Sequence, residues 1–294
     1  MKCLAALCLA TALPAADPLL FIYFREPANM GIFYATSDDG YGWKELHGGK
    51  PWIAIGQPGE LMRDPFLTRG PDRHFHLVWT WGWRGQSIGY AHSADLVHWS
   101  EQREIPLMAG IAGTRNTWAP EIYWDRAMAE WRIVFSSVVE GRQEGNRIYS
   151  ATTRDFRTVS RPEVFFDPGY AVIDATILQA RGRYYMVFKD ERNEPLHRWL
   201  EVASGPTLAG PWSGIGQAFT ESWSEGPSVV RVGRQYIVYY DHYRDPKRYQ
   251  AARSADFEHW TPMAEEVHFP EGCKHGSFLR ITQKERRRIE AAKE

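Results

Sequence analysis

The sequence predicts an all-β protein, a five-bladed β-propeller of four-stranded blades closed by pairing of its N- and C-terminal strands. Three observations predict it. Runs rich in aromatic and β-branched residues begin at Phe21, Phe75, Trp131, Tyr184 and Tyr236, stepping by 52 to 56 residues. A second run follows each of them, at Ile32, Ile88, Ile148, Leu200 and Tyr249. Short segments that open on a small or acidic residue and close on an aliphatic one recur at Asp64, Ala119, Asp174, Gly226 and Gly276. A repeat of about fifty residues holding several short strands is the signature of propeller blades.

Each element follows from this repeat. The segment at Asp64 and its equivalents is the first strand of a unit, and the aromatic run is the second. The run at Ile32 and its equivalents is the third. A turn ending in an aromatic residue leads to the fourth: Asp38 before Trp43, Asp95 before Trp99 and Asp256 before Trp260, with weaker forms at Asp155 and at Pro211-Trp212. Turn residues separate the strands. The phase is informative. The chain enters on a second strand, at Phe21, and leaves on a first strand, Gly276 to Ile281. Both ends are therefore expected in one blade. No linker interrupts the pattern, so residues 17–294 read as one domain. Lys284 to Glu294 reads as a charged helical tail, a solvated cap.

Composition narrows the classes of partner. The formal net charge is −1 and the isoelectric point about 6.8. Nucleic acid and anionic membrane surfaces both select for a basic excess, so no nucleic-acid partner and no membrane insertion are expected. Aromatic residues make up 14% of the chain, with 13 Trp, and such rings pack well on the apolar faces of sugars. Residues 1–16 read as a signal peptide, with Lys2, an apolar stretch from Cys3 to Leu13 and small residues Ala15 and Ala16 before Asp17. The expected location is secreted or periplasmic. Beyond this leader only Cys273 remains, so no internal disulfide is expected.

In a propeller the first strands line the axis, and their starting residues converge at one end of the channel. Asp64 and Asp174 occupy such starts and Glu225 stands one residue earlier in its unit, with Glu121 slightly further in and His275 in the fifth blade. Arg63, Lys189 and His275 are the basic residues at hand. Asp64 alone reads as a turn residue, because Asp before Pro is common in loops; the set at equivalent positions does not. Buried acids need paired cations or a task, and two carboxylates facing a sugar suit hydrolysis of a glycosidic bond. Trp79, Trp81 and Trp83 alternate after Asp64, and Trp81 or Trp83 is expected to line the cleft. Lys189-Asp190-Glu191 ends a second strand and reads equally as pocket wall or solvated strand end. Asp241-His242-Tyr243 reads as rim or structure, because no second His-rich element supports a zinc site. Phosphate loops, Cys clusters and serine-nucleophile elbows are not found.

The segments Arg63-Asp64-Pro65-Phe66, Trp118-Ala119-Pro120-Glu121-Ile122, Ile173-Asp174-Ala175-Thr176, Ser224-Glu225-Gly226-Pro227-Ser228 and Lys274-His275-Gly276-Ser277 resemble the five axis motifs of glycoside hydrolase family 43. The resemblance covers nearly the whole chain after residue 16, and its specificity lies in the order and spacing of the motifs. It implies Asp64 as general base, Asp174 as the acid that tunes a neighbour's proton affinity, and Glu225 as general acid of an inverting hydrolysis. It further implies that Trp118 and Glu121 shape a sugar pocket and that His275 stands near an ion or water in the channel, with no cofactor required. One departure is Tyr249-Gln250, where the family has Tyr-Gly. The expected substrate is an oligosaccharide or polysaccharide cut from its end, α-L-arabinofuranosides first. β-Galactofuranosides, β-xylosides and β-galactosides stay open. A retaining fructosidase-type propeller and a non-catalytic carbohydrate-binding propeller are the competing readings.

Overall fold

The computed structural model describes residues 17–56, 60–142 and 144–292; the expected leader lies outside them. Alternating side chains explain the architecture. In the strand Leu19–Phe24 all six residues are buried, with Leu20 and Ile22 in one apolar cluster and Leu19, Phe21 and Tyr23 in another. A strand buried on both faces reads as a continuous apolar run. The same division recurs in the strand Phe75–Thr80, where Leu77 and Trp79 face one cluster and Val78 the next. Each sheet is thus a wedge between two cores, and five wedges separated by five cores make a ring.

Blade one comprises Arg63–Arg69, Phe75–Thr80, Ile88–Ser93 and Arg103–Ile105, and blade two Trp118–Asp125, Glu130–Ser137, Arg147–Thr153 and Glu163–Phe166. Blade four comprises Ser224–Val232, Gln235–His242, Arg248–Ser254 and Thr261–Pro262. Blade three has Val172–Ala180, Arg183–Asp190 and Leu200–Gly205. Its fourth strand shrinks to one bridge, in which Ser204 and Ser213 exchange backbone hydrogen bonds of 2.9 Å beside the Pro211-Trp212 turn. Successive first strands touch round the ring and return from Lys274–Arg280 to Arg63–Arg69.

Blade five is assembled from both ends of the chain, as the repeat phase predicts. Leu19–Phe24 pairs antiparallel with Lys274–Arg280, Phe21 opposite Phe278, and on its other edge with Gly31–Ser37. The short strands Lys44–Glu45 and Ile53–Ala54 both pair with Gly31–Ser37. Phe21 and Phe278 stack with ring centroids 4.4 Å apart, fastening the seam.

Two expectations are corrected. The turn after the third strand of blade five uses Asp39, not Asp38: its Oδ1 accepts from the N–H of Tyr41 and Gly42. Asp38 instead pairs with Arg286. The C-terminal tail is not merely solvated. Gln283–Ala291 is a helix with a Thr282/Glu285 capping box. Ile289 is fully buried in the core between blades five and one, and Glu285 takes both guanidinium nitrogens of Arg69 at 2.7 and 2.8 Å.

Truncating a buried aromatic costs about 3–5 kcal/mol. Phe21→Ala should lower the unfolding free energy by about that amount, with an unchanged urea slope if the ring unfolds as one unit. A loss under about 1 kcal/mol in urea titration would contradict the seam's importance.

Candidate active site

Every first strand begins with a fault in its ladder. Register shifts fall between Arg63 and Phe66, between Ile173 and Thr176 and between Glu225 and Ser228, with counterparts in blades two and five. Two residues oppose one there, which is a β-bulge. The first bulged residue has positive φ in four blades: Asp64 50°, Ala119 46°, Asp174 56° and Gly226 58°. A non-glycine residue rarely adopts this conformation, and Asp tolerates it better than most. At Gly226 the demand for glycine is also steric, because a Cβ would stand 2.4 Å from Cγ of His275.

The bulges are held from the neighbouring blade. Thr80 Oγ1 accepts from the N–H of Ala119 at 2.8 Å and donates to Asp64 Oδ2 at 2.7 Å. Ser136 Oγ accepts from the N–H of Asp174 at 3.0 Å, and Asp241 Oδ2 from that of His275 at 2.8 Å. The bulges thereby turn Asp64, Asp174, Glu225 and His275 into one cavity of about 240 Å3. Its wall is completed by Arg63, Thr80, Trp83, Trp118, Ile173, Lys189, Glu191, Arg198 and Tyr243.

The charges are arranged in opposed pairs. Asp64 Oδ1 lies 3.2 Å from Nδ1 of His275. Burial alone would raise the Asp64 carboxyl, but His275, Arg63 and the Thr80 hydroxyl hold it below the ordinary carboxylate range. Burial likewise opposes charge on His275, yet Asp64, Asp174 and Asp241 outweigh it and push the imidazole up to about 9. Asp174 is raised by burial and by the negative charges of Glu225 and Asp64, against the pull of His275 and Lys189. Its Oδ2 accepts from the N–H of Gly226 at 3.0 Å. Glu225 Oε2 accepts from Nζ of Lys189 at 3.0 Å. Opposite it, Arg63 bonds Glu26 at 2.6 Å and stacks between Phe24 and Trp83.

The model of a glycosyl hydrolase 43-related family, described as a probable glycosyl hydrolase domain, matches residues 17–287. The chain belongs to this family. An α-L-arabinofuranosidase from Bifidobacterium longum subsp. longum is 28% identical, covering 58% of this chain and 19% of that protein. The match therefore takes in about a fifth of the curated relative's length. Among solved structures, a family 43 β-1,3-galactosidase with galactodeoxynojirimycin superposes with a TM-score of 0.60 at 12% identity, covering 90% of this chain and 92% of the other. An α-L-arabinofuranosidase from Lactobacillus brevis gives 0.53 at 14% identity, with 68% and 72% covered. At those identities the likeness is one of fold.

Of the residues expected at the site, Arg63, Asp64, Trp118, Asp174, Lys189, Glu225 and His275 meet in the cavity. Two others do not. Trp81 packs beside Trp79 against the core between blades five and one. The residue two further on, Trp83, lines the cavity and is 54% exposed. Glu121 is buried away from the cavity wall, hydrogen-bonded by Tyr123, whose hydroxyl accepts from the N–H of Ile177 at 2.7 Å. Burial pushes Glu121 up to about 8, which favours its neutral form near pH 7 and keeps a fourth negative charge from the three carboxylates of the cavity. Arg198 escaped the sequence reading, lying in a loop outside the repeat. Asp241, read there only as rim or structure, carries the backbone of His275. Its signal was register, because it stands opposite Glu225.

Among the described residues no group of three or more His, Cys, Asp or Glu side chains is arranged to hold a metal ion, and protonated His275 offers a cation no lone pair. No described helix is long and apolar enough to cross a membrane.

The His275–Asp64 pair makes stability depend on pH. His275 is raised in the folded state from 6.5 to about 9. Its contribution is therefore fully present below pH 6.5 and disappears as the pH rises to about 9. Denaturant titrations across that window should show wild type losing stability that His275→Asn does not lose. Parallel curves for the two proteins would contradict the pairing.

Proposed function

We propose that the chain is an inverting glycoside hydrolase that removes terminal sugars, with Asp64 as general base, Glu225 as general acid and Asp174 tuning Glu225. The observation that carries the reading is the pairing of opposite environments across one small cavity. Asp64 is kept ionised by His275. Its two oxygens each retain a lone pair beyond the bonds to His275 and Thr80, so a water has somewhere to give its proton. Glu225 comes from blade four, across the axis from blade one, and Asp174 lies between them in contact with the Gly226 N–H.

The hydrolysis follows from these positions. A sugar between Asp64 and Glu225 leaves room for a water on the Asp64 side. Glu225 protonates the departing oxygen while Asp64 takes the proton of the attacking water. A charged Asp174 beside Glu225 opposes a second negative charge and so favours the protonated acid. The volume supports removal of a single unit. About 240 Å3 is below the roughly 300 Å3 at which pockets for drug-sized ligands begin. Such a space suits one sugar ring rather than a chain threaded through it. Trp118 and Trp83 supply ring faces at its rim, with the Trp118 indole fixed by its Nε1–H to the Trp83 carbonyl at 3.0 Å.

An α-L-arabinofuranoside is the first substrate to test. It is supported by the name of the Bifidobacterium longum relative and by the size of the cavity. A chromogenic panel of arabinofuranoside, galactofuranoside, xyloside and galactoside identifies the sugar. On an alkyl glycoside of the preferred sugar, Asp64→Ala and Glu225→Gln should each lower kcat/KM by about 10²–10⁴-fold. Asp174→Asn should lower the rate less and shift the pH profile. Undiminished turnover in Asp64→Ala, or release of products from mid-chain of a linear oligosaccharide, would overturn the reading.

A further inference from the structure

The repeat that builds the site is broken at two places, by an apolar Phe24 opposite Lys274 in blade five and by a cation in blade three. In three blades the end of the second strand carries an acceptor that clasps the next blade, and these acceptors share a register: Thr80 opposite Arg63, Ser136 opposite Trp118, Asp241 opposite Glu225. In blade three that position, opposite Ile173, is Lys189. A lysine has no acceptor. The N–H it would have clasped, that of Gly226, goes to Asp174 instead. Lys189 is also 1% exposed, and a buried ammonium is costly unless it is paired. The fold alone gives no reason to replace a working clasp with a buried cation.

What Lys189 meets is two carboxylates. Its Nζ donates a hydrogen bond to Glu225 Oε2 at 3.0 Å. It also approaches Glu191 Oε2 at 2.7 Å. That second approach is an ion pair whose angles are poor for a hydrogen bond, and Glu191 Oε2 has no other donor. The other oxygen of Glu191 pairs with Arg198 at 3.0 Å. Arg198 in turn donates to Tyr243 at 3.1 Å, and the Tyr243 ring lies 4.6 Å from the ammonium. The ammonium thus stands between two carboxylates, hydrogen-bonded to Glu225 and ion-paired with Glu191, which Arg198 holds in place.

We propose that Lys189 and Glu191 are positioning residues for Glu225, Lys189 giving its hydrogen bond to Glu225 when that carboxyl is ionised and to Glu191 when it is protonated. The inference rests on the reading of Glu225 as general acid. In each turnover Glu225 gives its proton to the glycosidic oxygen as the bond to the anomeric carbon breaks. The water that replaces the leaving group gives its proton to Asp64. Asp64 returns that proton to solvent and Glu225 regains one, so no net proton is consumed. Lys189 steadies the carboxylate between these events and withdraws to Glu191 when the proton returns. Burial opposes its charge, but Glu225 and Glu191 hold the ammonium well above its ordinary range, so it stays a cation in both positions.

Other titratable groups face Glu225: Asp174 from blade three, Arg63 from blade one, Arg198 from the loop after Glu191, Asp241 and Tyr243 from blade four and its loop, and His275 from blade five. None of them spans two carboxylates as Lys189 does, so its effect separates from theirs by direction.

The test compares pH profiles of kcat/KM for wild type, Glu191→Gln, Lys189→Met and Glu225→Gln. Two substrates of the preferred sugar are used, one with an alkyl leaving group and one with dinitrophenolate. Glu191→Gln removes the competing carboxylate and commits Lys189 to Glu225, so the basic limb for the alkyl substrate should move to lower pH. Lys189→Met removes the cation that steadies the carboxylate, so the limb should move to higher pH. Its kcat should also fall about tenfold further on the alkyl substrate than on the dinitrophenyl one, with KM changed by less than about threefold. Limbs that stay put, or that move in the same direction, overturn the proposal. Should Lys189→Met fail to fold, Glu191→Gln decides alone, and an unmoved or upward limb overturns it. Glu225→Gln tests the underlying reading separately. Loss confined to the alkyl substrate supports a general acid, and equal loss on both substrates overturns that role.

Discussion

The β-bulge at the head of each first strand sets where Asp64, Asp174 and His275 stand, with Glu225 on the residue just before its own bulge. In a regular strand successive side chains alternate between faces, and in this ring both faces of each blade are filled by apolar cores. A carboxylate at a regular position would enter one of those cores. The extra residue breaks the alternation at the axis end of the strand and turns Asp64 and Asp174 into the cavity, at φ values that L residues seldom adopt. Such strain persists only where the surroundings over-determine it. Here the next blade does so, through Thr80 and Ser136 and through Asp241 beneath His275. Blade packing and site geometry are therefore one problem.

Charge is the second constraint. Four carboxylates gather near the axis, and the structure separates them by environment. Asp64 is charged against His275, Glu225 meets Lys189, Asp174 is raised between them, and Glu121 sits deeper with its proton retained. Pairs of titratable groups with environments that push them apart mark acid and base roles. His275 sits on the strand that closes the ring, so the seam carries the partner of Asp64. The stacking of Phe21 on Phe278 supports the strand that carries His275 to Asp64.

Much of this was legible in the sequence, for identifiable reasons. Strands buried on both faces leave long aromatic and β-branched runs, and a ring of like units repeats them, so the blades and their closing phase could be read directly. Convergence of strand starts followed from the fold, which placed Asp64, Asp174, Glu225 and His275 together. What stayed hidden depends on side-chain direction. Trp81 and Trp83 alternate outside a regular strand, where period alone does not tell which one turns to the cavity. Glu121 lies two residues past the bulge and points into the body of the ring. Arg198 comes from the loop between the second and third strands of blade three, and the length of that loop varies from blade to blade. The clasp residues Thr80, Ser136 and Asp241 share a register but no residue type, and only the structure reveals that Lys189 and Phe24 hold the same position in the other two blades. Ile289 in the tail is a single apolar residue among charges, too little signal for a buried helix.

The central claim is that the bulges hold Asp64 and Glu225 on opposite sides of one sugar with a water between, and product stereochemistry tests it most directly. Inverting enzymes separate their carboxyls by roughly 6.5–9.5 Å, and retaining ones by about 5–5.5 Å. Proton NMR of the first product formed, recorded before mutarotation, reports which geometry operates. The account predicts that the anomer opposite to the substrate's appears first and then equilibrates. First appearance of the retained anomer would contradict it.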